Sequence, residues 1–143
     1  MPAAPKPIPV VCAVIERDGC VLLAQRPGHK HPALKWEFPG GKIEPGENPV
    51  GAIIREIHEE LGCTLVVGRA LPRFQHTYSH VTIEMIPFVC RLAPGSPEPH
   101  PHEHIALIWV PLSRLKSYDL AAADLPVVDS IAAAMPDSAP MMP

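Results

Sequence analysis

Apolar and polar positions along the chain fall into short β-like runs and two stretches with helical spacing. "VVCAVIE" (10–16) and "CVLLAQR" (20–26) are apolar runs separated by "RDG", which predicts a hairpin turning at Asp18-Gly19. "KWEFPGG" (35–41) reads as a brief extended piece that breaks into a glycine-rich loop. Next, Val50, Ile53, Ile54, Ile57 and Leu61 recur at helical spacing and predict one apolar stripe. Asn48 suits the N-cap of that helix, Pro49 its first turn, and Gly62 the left-handed residue after its end. Strands are predicted over 64–71, 80–92 and 105–112, and a turn or short helix over 113–118. A second helix should run over 125–134, with Asp124 near its cap and Pro126 in its first turn. The order β, β, helix, β, β, β, helix implies a mixed sheet covered by helices, an α/β sandwich.

Composition narrows the partners. The chain has 143 residues, 47% of them apolar, which bounds it to a single domain (1–143) with a core over about 8–135. A formal net charge of −3 supplies no basic field for duplex nucleic acid or an anionic membrane. No apolar run reaches the roughly 18 residues of a membrane span, and "MPAAPKPIP" lacks the apolar core of a signal peptide. Cys12, Cys20, Cys63 and Cys90 form no C-x-x-C pair, so a reduced cytoplasmic protein, monomeric or weakly dimeric, is expected. The 20 prolines crowd the two ends and the stretch 93–104. Residues 1–7 and 136–143 therefore read as flexible tails, and 93–104 as a long surface loop. His100, His102 and His104 alternate within that loop and read as solvated; His76 and His80 flank Tyr78 at a strand start.

The chemistry concentrates on the first helix. Glu56, Glu59 and Glu60 lie within two turns, with Glu47 just upstream. Like charges at such spacing cost about a few tenths of a kcal/mol per pair, and the C-terminal end of a helix further disfavours anions. A cation that offsets this arrangement would be a hard one, because carboxylate oxygens select Mg²⁺, which shares its remaining positions with water and substrate phosphates. Gly40 and Gly41 allow close backbone approach, and a Gly carbonyl could join the ligands. Lys42 and Arg26 offer positive charge to phosphate oxygens.

From Gly41 the chain reads G, five residues, Glu47, seven residues, then R55-E56-I57-H58-E59-E60-L61-G62-C63. This resembles the Nudix box, G-x5-E-x7-R-E-U-x-E-E-x-G-U, at all seven fixed positions. Chance agreement at one start is on the order of 10⁻⁸. Cys63 departs from the bulky aliphatic residue at the last position and packs as a small hydrophobe. The resemblance implies a Nudix-type α/β/α sandwich and hydrolysis of a nucleoside diphosphate linked to another group, with Mg²⁺ or Mn²⁺. It implies Glu56, Glu59 and Glu60 as metal ligands joined by the Gly40 carbonyl, and Glu47 and Arg55 as an ion pair orienting them. Glu56 is the first candidate for general base and Glu103 the second.

Beyond the box, "LLAQRP", "KWEFPGGK", "HTYSHVTIEMIPFVC", "EHIALIWVPL" and "AADLP" resemble the MutT-type branch, which releases pyrophosphate from nucleoside triphosphates. By that likeness Glu103 is the distal acid completing the metal site. The leading substrate expectation is 8-oxo-dGTP, in nucleotide-pool sanitation. Asp124 stands where the 8-oxo-dGTP enzyme has an asparagine, and an ionised carboxylate only accepts hydrogen bonds. It suits the amine of cytosine, so CTP or a modified dCTP is the alternative; a helix cap is its plain structural role. Ser79 replaces an arginine near the base, and Phe38 and Phe74 are candidate walls of the base site or core residues. A nucleotide sensor without turnover is a further alternative, but such members lose box acids, and none is missing here.

Overall fold

The computed structural model describes residues 6–30, 32–79 and 81–134. Most of the two expected tails, and His80, lie outside the described residues.

Eight strands and two helices follow the order β1 (Ile8–Arg17), β2 (Cys20–Gln25), β3 (Trp36–Glu37), β4 (Gly40–Lys42), α1 (Pro49–Leu61), β5 (Leu65–Ala70), β6 (Phe74–Tyr78), β7 (Val81–Leu92), β8 (Ala106–Pro111) and α2 (Leu125–Ala134). Short 3-10 segments occupy Leu112–Ser117 and Ala122–Asp124. The predicted hairpin forms, with Arg17 opposite Cys20 and both Asp18 and Gly19 at positive φ. That backbone is the type I′ geometry that matches strand twist.

β1 organises the sheet. It runs parallel to β7 from the Ile8–Ile83 pair to the Ile15–Cys90 pair. Its first half also pairs antiparallel with β4, and its last two residues with β2. β2 continues antiparallel to β3 and β8, while β7 pairs antiparallel with β6 and then β5. Pro87 lies between the β6-paired and β5-paired parts of β7, where a residue without an N–H is best tolerated.

Both faces of β1 are covered. Val11, Ala13 and Ile15 pack with Ile53, Ile57 and Leu61 of α1. Cys12 and Val14, pointing the other way, pack with Val127, Val128 and Ile131 of α2. Burial on both faces explains why residues 10–16 read as a continuous apolar run rather than an alternating one. The expected α/β/α sandwich is present; beyond the five predicted strands, the extended piece and glycine loop supply β3 and β4, and one further strand falls where none was predicted. That strand, β6, shows only a weak period of two in "FQHTY".

The apolar stripe of α1 is narrower than its sequence suggests. Ala52, Ile53, Ile57 and Leu61 are buried, whereas Val50 and Ile54 remain 43% and 37% exposed. At about 100° per residue Glu60 projects between Ile53 and Glu56, so one acid belongs to the inward half of the helix.

Candidate active site

α1 begins and ends as its sequence requires. Asn48 Oδ1 accepts from the Gly51 N–H at 2.7 Å, and Gly62, at φ +69°, closes the helix by donating to the His58 carbonyl at 3.0 Å. β4 lies beside the helix because Gly40 and Gly41 pair with Cys12 and Val11 of β1. A side chain at Gly40 would overlap the β1 backbone. At Gly41 a Cβ would stand within 2.6 Å of both Glu56 carboxylate oxygens. Any side chain at 41 would push the Glu56 carboxylate from this position.

Arg55 is the hub of the carboxylates. Its Nε and Nη2 donate to the two Glu47 oxygens at 2.6 and 2.9 Å, a fork that holds the Glu47 pKa down to about 2. Nη1 reaches Glu56 at 3.2 Å and Glu59 at 3.1 Å, and Nη2 also donates to the Lys42 carbonyl at 3.2 Å. Glu47 in turn accepts from the Glu44 N–H. The expected role of Glu47 and Arg55, an ion pair steering the acids, has this geometry behind it.

The acids differ from one another. Glu59 is exposed, with 58% of its side chain in water. Glu56 is largely covered, and burial raises its pKa despite Arg55. Glu60 is the extreme. Burial and then the charges of Glu56, Glu37 and Glu103 push its pKa up to about 8, only partly countered by Lys30. Its Oε1 is buried without a hydrogen-bond partner. A buried oxygen among carboxylates is an acceptor set for a hard cation, so the residues present fit the divalent metal their sequence implies. Among the described residues no three of these side chains already converge as ligands. Arg55, which bridges Glu56 and Glu59, is the cation that holds them in place.

Glu103 follows the proline-rich loop. Its side chain is 65% exposed and bonded to Lys30 at 3.2 Å, close enough to Glu60 to raise its pKa. That loop is not merely solvated, contrary to expectation. His100 and His102 bond to the end of α1, and His104 is inserted, its Nε2 2.8 Å from Glu37. Only contacts between segments 40 to 70 residues apart could have revealed this.

A second polar group lies on the α2 side. Glu37, at the end of β3, takes His104 on one oxygen and Arg26 Nη1 on the other at 2.8 Å. Arg26 thus spends one donor on a neighbouring carboxylate, where a phosphate contact was expected. Asp124 is only 4% exposed and, as the last residue of a 3-10 turn, stands immediately before α2. Burial, followed by the Glu37 charge, drives its pKa well above the carboxylate range, opposed by a backbone hydrogen bond from Phe38. Phe38 belongs to the core on this side, and Phe74 packs against it from β6. Ser79 occupies the turn between β6 and β7, after Tyr78, whose pKa is raised by burial and by the charge of Asp124. Lys42 is exposed beside the acid cluster. Glu37, Lys30 and the three loop histidines escaped sequence reasoning as site residues. The one available signal was Glu37 itself, a charge flanked by Trp36 and Phe38 immediately before the double glycine.

Comparison with known proteins accords with this geometry. A family model described as a NUDIX domain matches residues 10–130. The chain is 41% identical over 128 residues to the CTP pyrophosphohydrolase of Escherichia coli K12, covering 90% of this chain and 93% of that one. It is 32% identical over 111 residues to the 8-oxo-dGTP diphosphatase of the same strain, covering 76% and 82%. Among solved structures, the E. coli ORF135 protein superposes with a TM-score of 0.78 at 40% identity, over 92% of this chain and 94% of that one. A MutT NUDIX hydrolase from Burkholderia pseudomallei gives 0.76 at 29% identity, over 89% and 99%. With its complete box folded around one buried and two more accessible acids, the chain belongs to the Nudix hydrolases, enzymes that open acid anhydrides.

Proposed function

We propose that this enzyme hydrolyses a nucleoside triphosphate to the monophosphate and pyrophosphate, using Mg²⁺, with Mn²⁺ as a substitute. The single observation that carries the reading is Glu60, whose buried Oε1 has no hydrogen-bond partner and whose neighbours are other acids. Glu56, Glu59 and Glu60, with Glu103 and the Gly40 carbonyl, would hold the metal. When bound, the metal supplies Lewis acidity toward phosphoryl oxygens and lowers the pKa of water. Arg55 and Glu47 fix the carboxylate directions, and Gly41 leaves room for Glu56. Glu56, covered and with a raised pKa, is suited to take a proton from the attacking water; Glu103, more exposed, is the second candidate. Lys42 and Arg26 are the cations offered to the phosphate chain, Arg26 oriented by Glu37.

For the base we place cytosine nucleotides first. The relative named CTP pyrophosphohydrolase agrees over nearly the whole chain, and the Asp124 carboxyl keeps an acceptor oxygen for an exocyclic amine whether or not it holds a proton. The 8-oxo-dGTP reading keeps one specific support. A buried Asp124 that holds its proton offers a donor as well as an acceptor, as an asparagine would. Release of pyrophosphate with Mg²⁺, ranked by kcat/KM over CTP, dCTP, 5-methyl-dCTP, dGTP and 8-oxo-dGTP, tests both levels. Absence of turnover on all five would overturn the hydrolase reading, and a dominant 8-oxo-dGTP value would reverse the order of bases.

A further inference from the structure

The C-terminal end of α1 poses a satisfaction problem, because the last carbonyls of a helix have no partner within it. Gly62 answers one of them. The next three belong to Glu59, Glu60 and Leu61, and segment 100–102 meets them all. His102 Nδ1 lies 2.7 Å from the Glu59 carbonyl oxygen, the His102 N–H donates to Glu60 at 3.1 Å, and the His100 N–H donates to Leu61 at 3.1 Å. Two of these carbonyls belong to the residues whose carboxylates serve the metal, and the residue after His102 is Glu103.

The proton positions follow from chemistry. A carbonyl oxygen only accepts, so His102 Nδ1 carries hydrogen. In the neutral ring Nε2 then bears the lone pair. His100 Nε2, 3.1 Å away, donates into it, with the two rings edge to face at 4.7 Å. Both tautomers are thereby set. Gly62 completes the fit, since a Cβ there would meet His100 Cε1 at 3.2 Å and His102 Nε2 at 3.4 Å.

We infer that His102, with its ring oriented by His100, is a positioning residue that latches the 93–105 loop to the end of α1 and so delivers Glu103 to the acids of that helix. The inference rests on the metal-dependent hydrolase reading. Without the latch Glu103 is held from its C-terminal side alone, by His104 on Glu37 and the Ile105 N–H on Gln25, and its side chain keeps the exposed Lys30, an ion pair of small worth on its own.

The experiment measures kcat, KM, the Mg²⁺ concentration for half-maximal pyrophosphate release and, without substrate, the Mg²⁺ concentration for half-maximal thermal stabilisation, in wild type, His102→Ala, His102→Asn, His102→Gln, Glu103→Gln and the His102→Ala/Glu103→Gln double variant. Losing an outer partner of a metal ligand costs about 10- to 100-fold. His102→Ala should raise the Mg²⁺ requirement or lower kcat by about 10-fold, leaving KM nearly unchanged. Asn can place an amide N–H where Nδ1 stands and should restore most of the loss, whereas Gln, whose amide reaches the Nε2 position, should not. In the Glu103→Gln background His102→Ala should cost about 2-fold or less. Wild-type turnover with an unaltered His102→Ala enzyme, with no rescue by Asn, or with full additivity in the double variant overturns the inference while the hydrolase reading stands. A wild type without turnover removes that reading instead. Should His102→Ala fail to fold, the contrast between Asn and Gln carries the same decision.

Discussion

Glu60 and Asp124 are both carboxyls withdrawn from water, and the surroundings that raise their pKa differ in kind. Glu60 has three other acids around it and one buried oxygen without a hydrogen-bond partner. Asp124 receives a backbone hydrogen bond from Phe38 and shares its corner with Arg26 as well as Glu37. The first site is electrostatically incomplete and needs a cation from outside. The second can complete itself by keeping a proton, and remains able to bond to a neutral partner. On the proposed reading one face of the sheet would handle phosphate charge and the other the hydrogen-bond pattern of a base, and the Glu37 charge acts on both carboxyls. Burial alone would not have separated these roles; the neighbours do.

The sharpest way to break this contrast is to neutralise Glu60. Glu60→Gln should lower kcat by about 10²-fold or more, the loss expected when part of an electrostatic catalytic centre is removed, and Glu59→Gln should do the same. Normal turnover in either variant, measured as pyrophosphate release, would remove that residue from the metal site. Gly41→Ala comes next. Its methyl would displace the Glu56 carboxylate while leaving the box acids in place, so activity should fall by about 10-fold or more with CD-detected secondary structure retained. Asp124→Asn should act on selectivity instead, moving the ratio of kcat/KM between dCTP and 8-oxo-dGTP by about 5-fold or more, since one bidentate base contact is worth about 1–3 kcal/mol. An unchanged ratio would take Asp124 out of base recognition.

The smallest effect concerns the metal-free protein. Glu60 keeps its proton to about pH 8 when folded but only to its ordinary value of 4.5 when the chain is unfolded. Stability from this group is complete below 4.5 and declines as the pH rises toward 8. Thermal melting in EDTA should therefore drop by a few degrees between pH 5 and pH 8. Glu60→Gln should flatten that slope, and Mg²⁺ should oppose it. An identical slope in the Gln variant would mean that other groups set the pH dependence.

How much was legible beforehand depended on the range of the interactions. α1 was readable to the residue because Asn48, Pro49 and Gly62 are local signals. The Asp18-Gly19 turn was readable for the same reason. The box acids were legible as a set but not as unequal members, because Glu60 is distinguished by Glu37 and Glu103, 23 and 43 positions away. Val50 and Ile54 show the converse error. Helical spacing placed them on the stripe, yet both remain exposed. The histidine loop was misread because proline-rich composition describes a segment left alone, and this segment finds partners on a helix some 40 residues earlier.

The pairing of β1 with β7 brings together positions 8 and 83, 15 and 90, with no shorter route to the same contact. At the usual pace of roughly 5–20 residues per second, several seconds separate the synthesis of the first strand from that of its parallel mate. During that interval the apolar run 10–16 has its hairpin, β4 and then α1 to pack against, but not its parallel neighbour. The first strand of the sheet waits about 75 residues for its parallel mate, and β2 waits longer still for β8.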